Sequence, residues 1–233
     1  VEFDEWEPVY ERILSAFGYG RGGDERVRDR LQRLVAGSET FETERVDWTG
    51  QTVAIAGGAD SLIEPTALQT ARDADIVVAA SVAADRLRDR EIAVDCMVTD
   101  LDKNPATVRD LTADGVPAAV HAHGDNLDLV EEWVPRLDTA FVIPTTQAEP
   151  TGAVHNFGGF TDGDRAAFLA DEFGAARLVF PGWEFDDPTV DEEKRAKLGW
   201  AERLLHWLER RRDERFDILD GRRADIDRDA LPL

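Results

Sequence analysis

TVAIAGGADSL, residues Thr52–Leu62, sets a short β-branched run against two glycines and then a pair of cap-forming polar residues. That order reads as a buried parallel strand over Thr52–Ala56, a tight turn at Gly57 and Gly58, and a helix capped by Asp60 or Ser61. The same unit recurs downstream. Strands are expected at Ile76–Ala80, Ala93–Thr99, Ala118–Val120, Thr139–Ile143 and Arg177–Phe180, alternating with helices at Val82–Arg88, Pro105–Leu111, Leu127–Leu137 and Asp162–Phe173. Alternation of this kind specifies an α/β fold: a mostly parallel, Rossmann-like sheet with helices on both faces.

Upstream, apolar residues recur at helical spacing over Phe3–Phe17 and again over Asp24–Ala36. Gly37–Gly50 is polar, with a short strand expected over Phe41–Val46, and is placed as a boundary. An N-terminal helical segment, 1–48, then precedes an α/β catalytic domain, 49–233, that ends in a long helix from Asp191 to about Arg212. Trp200 and Trp207 flank the leucine stripe of that helix and are expected as core or subunit contacts, which leaves a homo-oligomer open. The tail, Asp213–Leu233, is mostly charged and is expected to be partly loose.

The 233 residues are 42% hydrophobic and 33% charged, with 49 acidic against 27 basic side chains and a formal net charge of −22. Such a surface repels nucleic acid and anionic membranes. Lysine is confined to Lys103, Lys194 and Lys197, while arginine is plentiful, so the acidity is a style of surface suited to high internal salt. A halophilic source is expected. Cys96 is the only cysteine, which excludes an intramolecular disulfide or a cysteine-based zinc site. No apolar run reaches membrane-spanning length and no signal peptide opens the chain, so a cytoplasmic protein is expected.

Four strand-like runs deliver polar residues to one edge, three of them directly after a short apolar run: VTDLD (Val98–Asp102), HAHGDN (His121–Asn126), PTTQ (Pro144–Gln147) and NFGGFTDGDR (Asn156–Arg165). In an open parallel sheet these ends face one crevice. Asp100, Asp102, Asp125, Asp162 and Asp164 are expected to crowd it, and carboxylates so close stay ionised only beside a cation. A metal-dependent enzyme of phosphate chemistry follows. Asp100 and Asp102 offer hard oxygen ligands for Mg²⁺, although a lone DxD is also a common cap or turn. Asp125 is a third candidate ligand or, with Asn126, a helix cap. His121 and His123 lack any zinc pattern and are assigned to phosphate binding, to general base work, or to backbone hydrogen bonding.

Gly57, Gly58 and Ser61 resemble an anion cradle of free amides, but no complete GxGxxG or Walker sequence is present, and an empty turn explains them equally. Thr145, Thr146 and Gln147 suit a base or a ribose. Gly158 and Gly159 permit close backbone approach, and Thr161 with Asp164 approaches a capping box. Asn156, Asp162 and Arg165 then suit a phosphate clamp.

In this order, with GGADSL upstream, the motifs resemble the archaeal 6-hydroxymethyl-7,8-dihydropterin pyrophosphokinase family, whose fold is related to thiamin pyrophosphokinase. The resemblance spans about Val53–Phe185. It implies ATP as co-substrate, Mg²⁺ as cofactor, and transfer of a diphosphoryl group to a pterin alcohol with release of AMP, in folate or methanopterin synthesis. It also implies Asp100 and Asp102 as Mg²⁺ ligands, with Asp125 and the histidines nearby. His123 or Asp125 would accept the hydroxyl proton and Arg165 would stabilise developing charge. Lys103 stands where the family usually has glycine, and AASVA (Ala79–Ala83) replaces an ADGA-like segment. A metal-dependent glycosyltransferase using a nucleotide-sugar donor is the alternative, and a silent nucleotide-binding regulator a third.

Overall fold

The computed structural model describes residues 1–229 and 231–232. Two helices come first, α1 (Phe3–Phe17) and α2 (Arg21–Val35). Six parallel strands follow: β1 (Thr52–Ala56), β2 (Ile76–Ala80), β3 (Cys96–Thr99), β4 (Ala118–Ala122), β5 (Val142–Thr146) and β6 (Arg177–Val179). Between them lie α3 (Pro65–Asp73), α4 (Ala83–Arg88), α5 (Pro105–Ala113), α6 (Leu127–Trp133) and α7 (Asp162–Glu172), and α8 (Glu192–Arg211) comes last.

The strand order is β5-β4-β3-β2-β1-β6. The chain therefore steps one way from β1 to β5 and then returns to the far side of β1. Right-handed crossovers taken in one direction share a face, and a reversed step uses the other. Side chains of α3 to α6 accordingly pack in one core with Ala54, Val77, Met97 and Val120, whereas α7 and α8 pack in a second core with Val53, Val78, Val98 and Ala119. Adjacent strand residues point to opposite cores, as a doubly covered sheet requires.

The N-terminal helices straddle this sheet. Trp6 and Ile13 of α1 are fully buried in the α7/α8 core, while Val27 and Leu31 of α2 are fully buried in the other. The turn between them crosses the carboxyl end of the sheet. Gly18 makes that turn at φ +68°, in the left-handed region that a glycine enters without strain.

Several local expectations are corrected. Phe41–Val46 holds a 3₁₀ turn at Thr43–Arg45 instead of a strand, and α2 begins at Arg21 instead of Asp24. The helix after the glycine pair is split into a 3₁₀ turn, Asp60–Ile63, and α3, which starts at Pro65. Residues 139–141 form a 3₁₀ turn capped by the Asp138 side chain, which moves β5 three residues on and draws Pro144, Thr145 and Thr146 into the strand. Proline is tolerated there because β5 is an edge strand. The tail is not loose over its described length: Phe216, Leu219, Ile226 and Leu231 are buried in the α7/α8 core, and Arg223 pairs with the buried Glu209 of α8. Ala230 and Leu233 lie outside the described residues. Trp200 and Trp207 are buried in the same core.

Candidate active site

A cleft of about 900 Å³ runs along the carboxyl ends of the strands and past the reversal between β1 and β6. This is where an open parallel sheet leaves room for a ligand. The floor comes from strand ends, one wall from the α1–α2 turn, and the other from the start of α7, the segment after β6 and the first turns of α8.

An acidic corner follows β3. Leu101 is fully buried with φ +70°, and this left-handed residue turns the chain so that Asp100 and Asp102 both line the cleft. The Asp102 amide donates to Asp100 Oδ1 at 3.2 Å, Lys103 Nζ lies 3.0 Å from Asp102 Oδ2, and His123 Nε2 lies 3.4 Å from Asp100 Oδ2. Burial acts to raise the Asp100 pKa, but hydrogen bonds from His123 and Asp102 and the charge of Arg165 outweigh it and hold this carboxyl well below the usual range. Asp102 is pushed up by burial and by its neighbour. The two shifts run in opposite directions because two negative charges this close repel one another.

The start of α7 forms the facing corner. Thr161 caps the helix reciprocally with Asp164, and Asp162 and Arg165 line the cleft one turn apart. Arg165 Nη1 donates to Asp162 Oδ1 at 3.2 Å, and Nη2 donates to Gln147 Oε1 at 3.1 Å. Burial, together with the charge of Asp100, pushes Asp162 up to about 8 against the opposing pull of Arg165. Gln147 Nε2 in turn donates to Asp24 Oδ2 at 2.9 Å. Asp24 of α2 is buried and also accepts from Tyr10 Oη at 2.5 Å and from the Gly124 amide at 2.6 Å.

The expected site residues thus divide. Asp100, Asp102, His123, Asp125, Gln147, Asp162 and Arg165 share the cleft with Gly57 and Gly58. Asp125 stands at the rim, its amide donating to His123 Nδ1 at 3.4 Å. Among the described residues no three His, Cys, Asp or Glu side chains converge on a single metal position, so Asp125 does not join the Asp100–Asp102 pair as a third close ligand.

The other residues serve the scaffold. Asp164 is fully buried and accepts from the Phe160 amide at 2.5 Å and from Thr161, so it leaves the expected five-acid cluster. Thr145 Oγ1 donates to Val120 O and Thr146 Oγ1 to Ala122 O, which ties β5 to β4. Asn156 Nδ2 donates to the carbonyls of Gln147 and Ala148 and holds the end of β5 in place. Gly158 and Gly159 turn beneath α7, where a Cβ on Gly159 would stand 2.6 Å from Arg165 Cα. Ser61 lies outside the cleft. Of the amides at the expected cradle, that of Gly57 donates to Pro181 O and that of Ala59 to Gly182 O.

His121 lies under the floor. Its Nδ1 faces Thr145 Oγ1, whose proton goes to Val120, so Nδ1 carries the hydrogen and Nε2 is a bare acceptor. Burial, followed by the charge of Arg165, holds its pKa well below the usual range. Its Nε2 and Arg165 Nε are both buried without a partner among the described residues and border one small chamber.

Sequence reasoning missed Asp24, Trp183, Lys194 and Lys197, all of which line the cleft. Trp183 Nε1 donates to Ile55 O at 2.9 Å, and the indole fills the space beside Gly57 and Gly163. Glycine at 57 is thereby explained by the close approach of Gly182 and Trp183 rather than by a ligand.

A family model described as "6-hydroxymethylpterin diphosphokinase MptE-like" matches residues 30–189. The chain belongs to this family. It is 35% identical to a protein of Methanothermobacter thermautotrophicus over 93% of this chain and 99% of the relative. It is 36% identical to one from Pyrococcus furiosus, over 89% and 94%. It is also 29% identical to one from Methanocaldococcus jannaschii, over 89% and 96%. All three are named 6-hydroxymethyl-7,8-dihydropterin pyrophosphokinase. The span matched to the MptE-like family holds the whole sheet and both corners of the cleft, whereas Lys194 and Lys197 lie beyond it.

Proposed function

We propose that this chain transfers the β,γ-diphosphoryl group of ATP to the hydroxymethyl oxygen of 6-hydroxymethyl-7,8-dihydropterin and releases AMP, in archaeal folate or methanopterin synthesis. The names of the relatives support the reaction, and one observation carries it into this chain: the Asp100–Asp102 pair shares a cleft with Arg165. An acid pair for a cation and a buried guanidinium for phosphate oxygens are what phosphoryl transfer needs, since catalysis there is mostly positioning and charge.

The pair fits Mg²⁺. Two neighbouring carboxylates that repel one another gain from a divalent cation, and Mg²⁺ commonly takes one or two carboxylates and fills its shell with phosphate oxygens and water. Bound there, it would neutralise phosphate charge. Asp100 and Asp102 would hold the cation, and His123 keeps Asp100 in place. Arg165, fixed by Gln147 and Asp162, faces the charge that builds on the bridging oxygen as the bond from the β-phosphorus to AMP breaks. The new bond joins the β-phosphorus to the pterin hydroxymethyl oxygen, whose proton passes to Asp125. The Asp125 carboxylate makes no hydrogen bond among the described residues, whereas both ring nitrogens of His123 are engaged. No helix is long and apolar enough to cross a membrane among the described residues, and a cytoplasmic location in a high-salt cell suits the acidic surface.

The test is AMP release from ATP and Mg²⁺ with and without the pterin in high KCl, beside an Asp100→Asn, Asp102→Asn variant. Pterin-dependent AMP that vanishes in the variant is expected. A folded wild type that makes none overturns the reading and returns nucleotide-sugar donors to consideration.

A further inference from the structure

The chain has three lysines and 24 arginines. All three lysines line the cleft, whereas Arg26 and Arg165 are the arginines that do. Elsewhere arginine supplies the cation and forks onto carboxylates, as at Arg222–Asp186 and Arg223–Glu209. Lysine differs in kind: its ammonium is a compact point charge on a flexible stem, suited to the diffuse charge of a phosphate chain.

Lys194 and Lys197 are three residues apart on the first turns of α8, so they share a side of the helix. Lys197 is steadied by Glu193 at 2.7 Å, and Tyr19 of the α1–α2 turn donates to the same carboxylate at 3.1 Å. Lys194 has no acidic partner among the described residues, although the chain carries 49 acidic side chains. Its charge reaches Asp162, as does that of Lys103 from the other side. Lys194 and Lys197 therefore stand in the same cleft as the acidic corner, on a lining they share with Glu184, Asp187 and Asp191, in a protein whose net charge would repel a polyphosphate.

We propose that Lys194 and Lys197 form a phosphate subsite that holds the terminal phosphates of the donor, apart from the Asp100–Asp102 corner. It sets the preference of the cleft for a triphosphate over a monophosphate, which lets AMP leave while ATP stays. The identity of the donor rests on the diphosphokinase reading, but the subsite itself requires only a polyphosphate.

The test uses inorganic pyrophosphate and AMP as probes, titrated calorimetrically into the full chain at fixed Mg²⁺ over a series of KCl concentrations. Wild type is compared with Lys194→Gln/Lys197→Gln and with the double arginine variant. The glutamine variant should bind pyrophosphate about tenfold more weakly or worse, given the strength of charge-assisted hydrogen bonds. It should also show a shallower salt dependence and unchanged AMP affinity. The arginine variant should retain most of the affinity. Equal pyrophosphate affinity in wild type and glutamine variant, no binding by the wild type, or an equal loss of AMP binding each overturns the subsite. Should the double variant not fold, Lys194→Gln alone decides, because Lys194 is exposed and its removal breaks no ion pair among the described residues. The two readings fail separately: a wild type that binds pyrophosphate through these lysines but makes no pterin-dependent AMP loses only the diphosphokinase assignment, and an active wild type with an indifferent variant loses only the subsite.

Discussion

Asp24 determines which way Gln147 faces. The carboxylate can only accept, so the Gln147 amide nitrogen must point at it from 2.9 Å, and the amide oxygen is left to receive Arg165 at 3.1 Å. A residue of the second helix thereby positions the arginine of the seventh. Asp24→Asn introduces a donor where Tyr10, Gln147 and Gly124 all donate. Leaving a buried donor unmatched should cost about 1–3 kcal/mol in urea unfolding. In the assay it should lower kcat more than it raises the KM for ATP, since Arg165 loses its orientation. An unaltered kcat in a folded variant would show that Gln147 holds Arg165 unaided.

Gly163 and Trp183 should be non-additive. A Cβ on Gly163 would stand 2.6 Å from the Trp183 indole, and the ring has little room to retreat while bonded to Ile55. Gly163→Ala should destabilise the protein by about 1–3 kcal/mol through overpacking. In a Trp183→Ala background the same change should be neutral or favourable, because alanine is the better helix former. A denaturation cycle with no coupling between the two sites would refute the contact.

The fold shows how far local sequence reaches. β1 and β2 were legible to the residue, because each is a short apolar run stopped by glycine or by Ser81 with its positive φ. β5 was displaced because Asp138 caps a turn that looks like strand, and because Pro144 is acceptable only once β5 is known to be an edge. The acid corner and His123 could be named because they follow strand ends, where topology brings distant segments together, and Asp162 and Arg165 because a glycine turn before a capped helix start suits a phosphate clamp. Asp24 and the two lysines of α8 could not. Their helices read as ordinary amphipathic pieces, and only packing against both faces of the sheet carries them to the cleft. The rarity of lysine was visible from the start, but its meaning depends on where the three residues meet.

Asp162 gives a pH dependence with a definite sign. Its pKa rises from 3.8 to about 8 on folding, because burial and Asp100 disfavour its charge. The folded state therefore keeps a proton that the unfolded chain has lost between those values. This contribution is complete below 3.8 and is lost as pH rises through about 8. Without divalent metal, Asp162→Asn should match wild type near pH 4 and exceed it in stability by a margin that grows toward pH 8. Urea midpoints across that range would expose a constant margin if the assignment is wrong.

Glu209 has the opposite sign. Burial alone would raise its pKa, but Arg223 and the Phe216 amide, which donates to it at 2.7 Å, hold it below the ordinary 4.5. Its stabilisation is present above that value and is lost as pH falls through the depressed one. Glu209→Gln should destabilise the neutral protein by about 3 kcal/mol, the cost of breaking a buried pair. The difference from wild type should shrink in acid below pH 4.5. Limited proteolysis should cut the variant first in residues 213–229, and an intact tail would speak against the tether.

The reversed step in the strand order also bears on how the protein assembles. β1 and β2 pair residues 53 and 76, whereas β1 and β6 pair residues 52 and 177. Long loops close slowly, so the progressive steps from β1 to β5 should form before β6, and α8 behind it, can dock. The growing chain would then possess the acids proposed to hold a cation, with Lys103 beside them, well before Lys194 and Lys197 arrive. Pulse-labelled hydrogen exchange should find the β6 amides protected last, with a half-built intermediate that takes up Mg²⁺ yet ignores pyrophosphate.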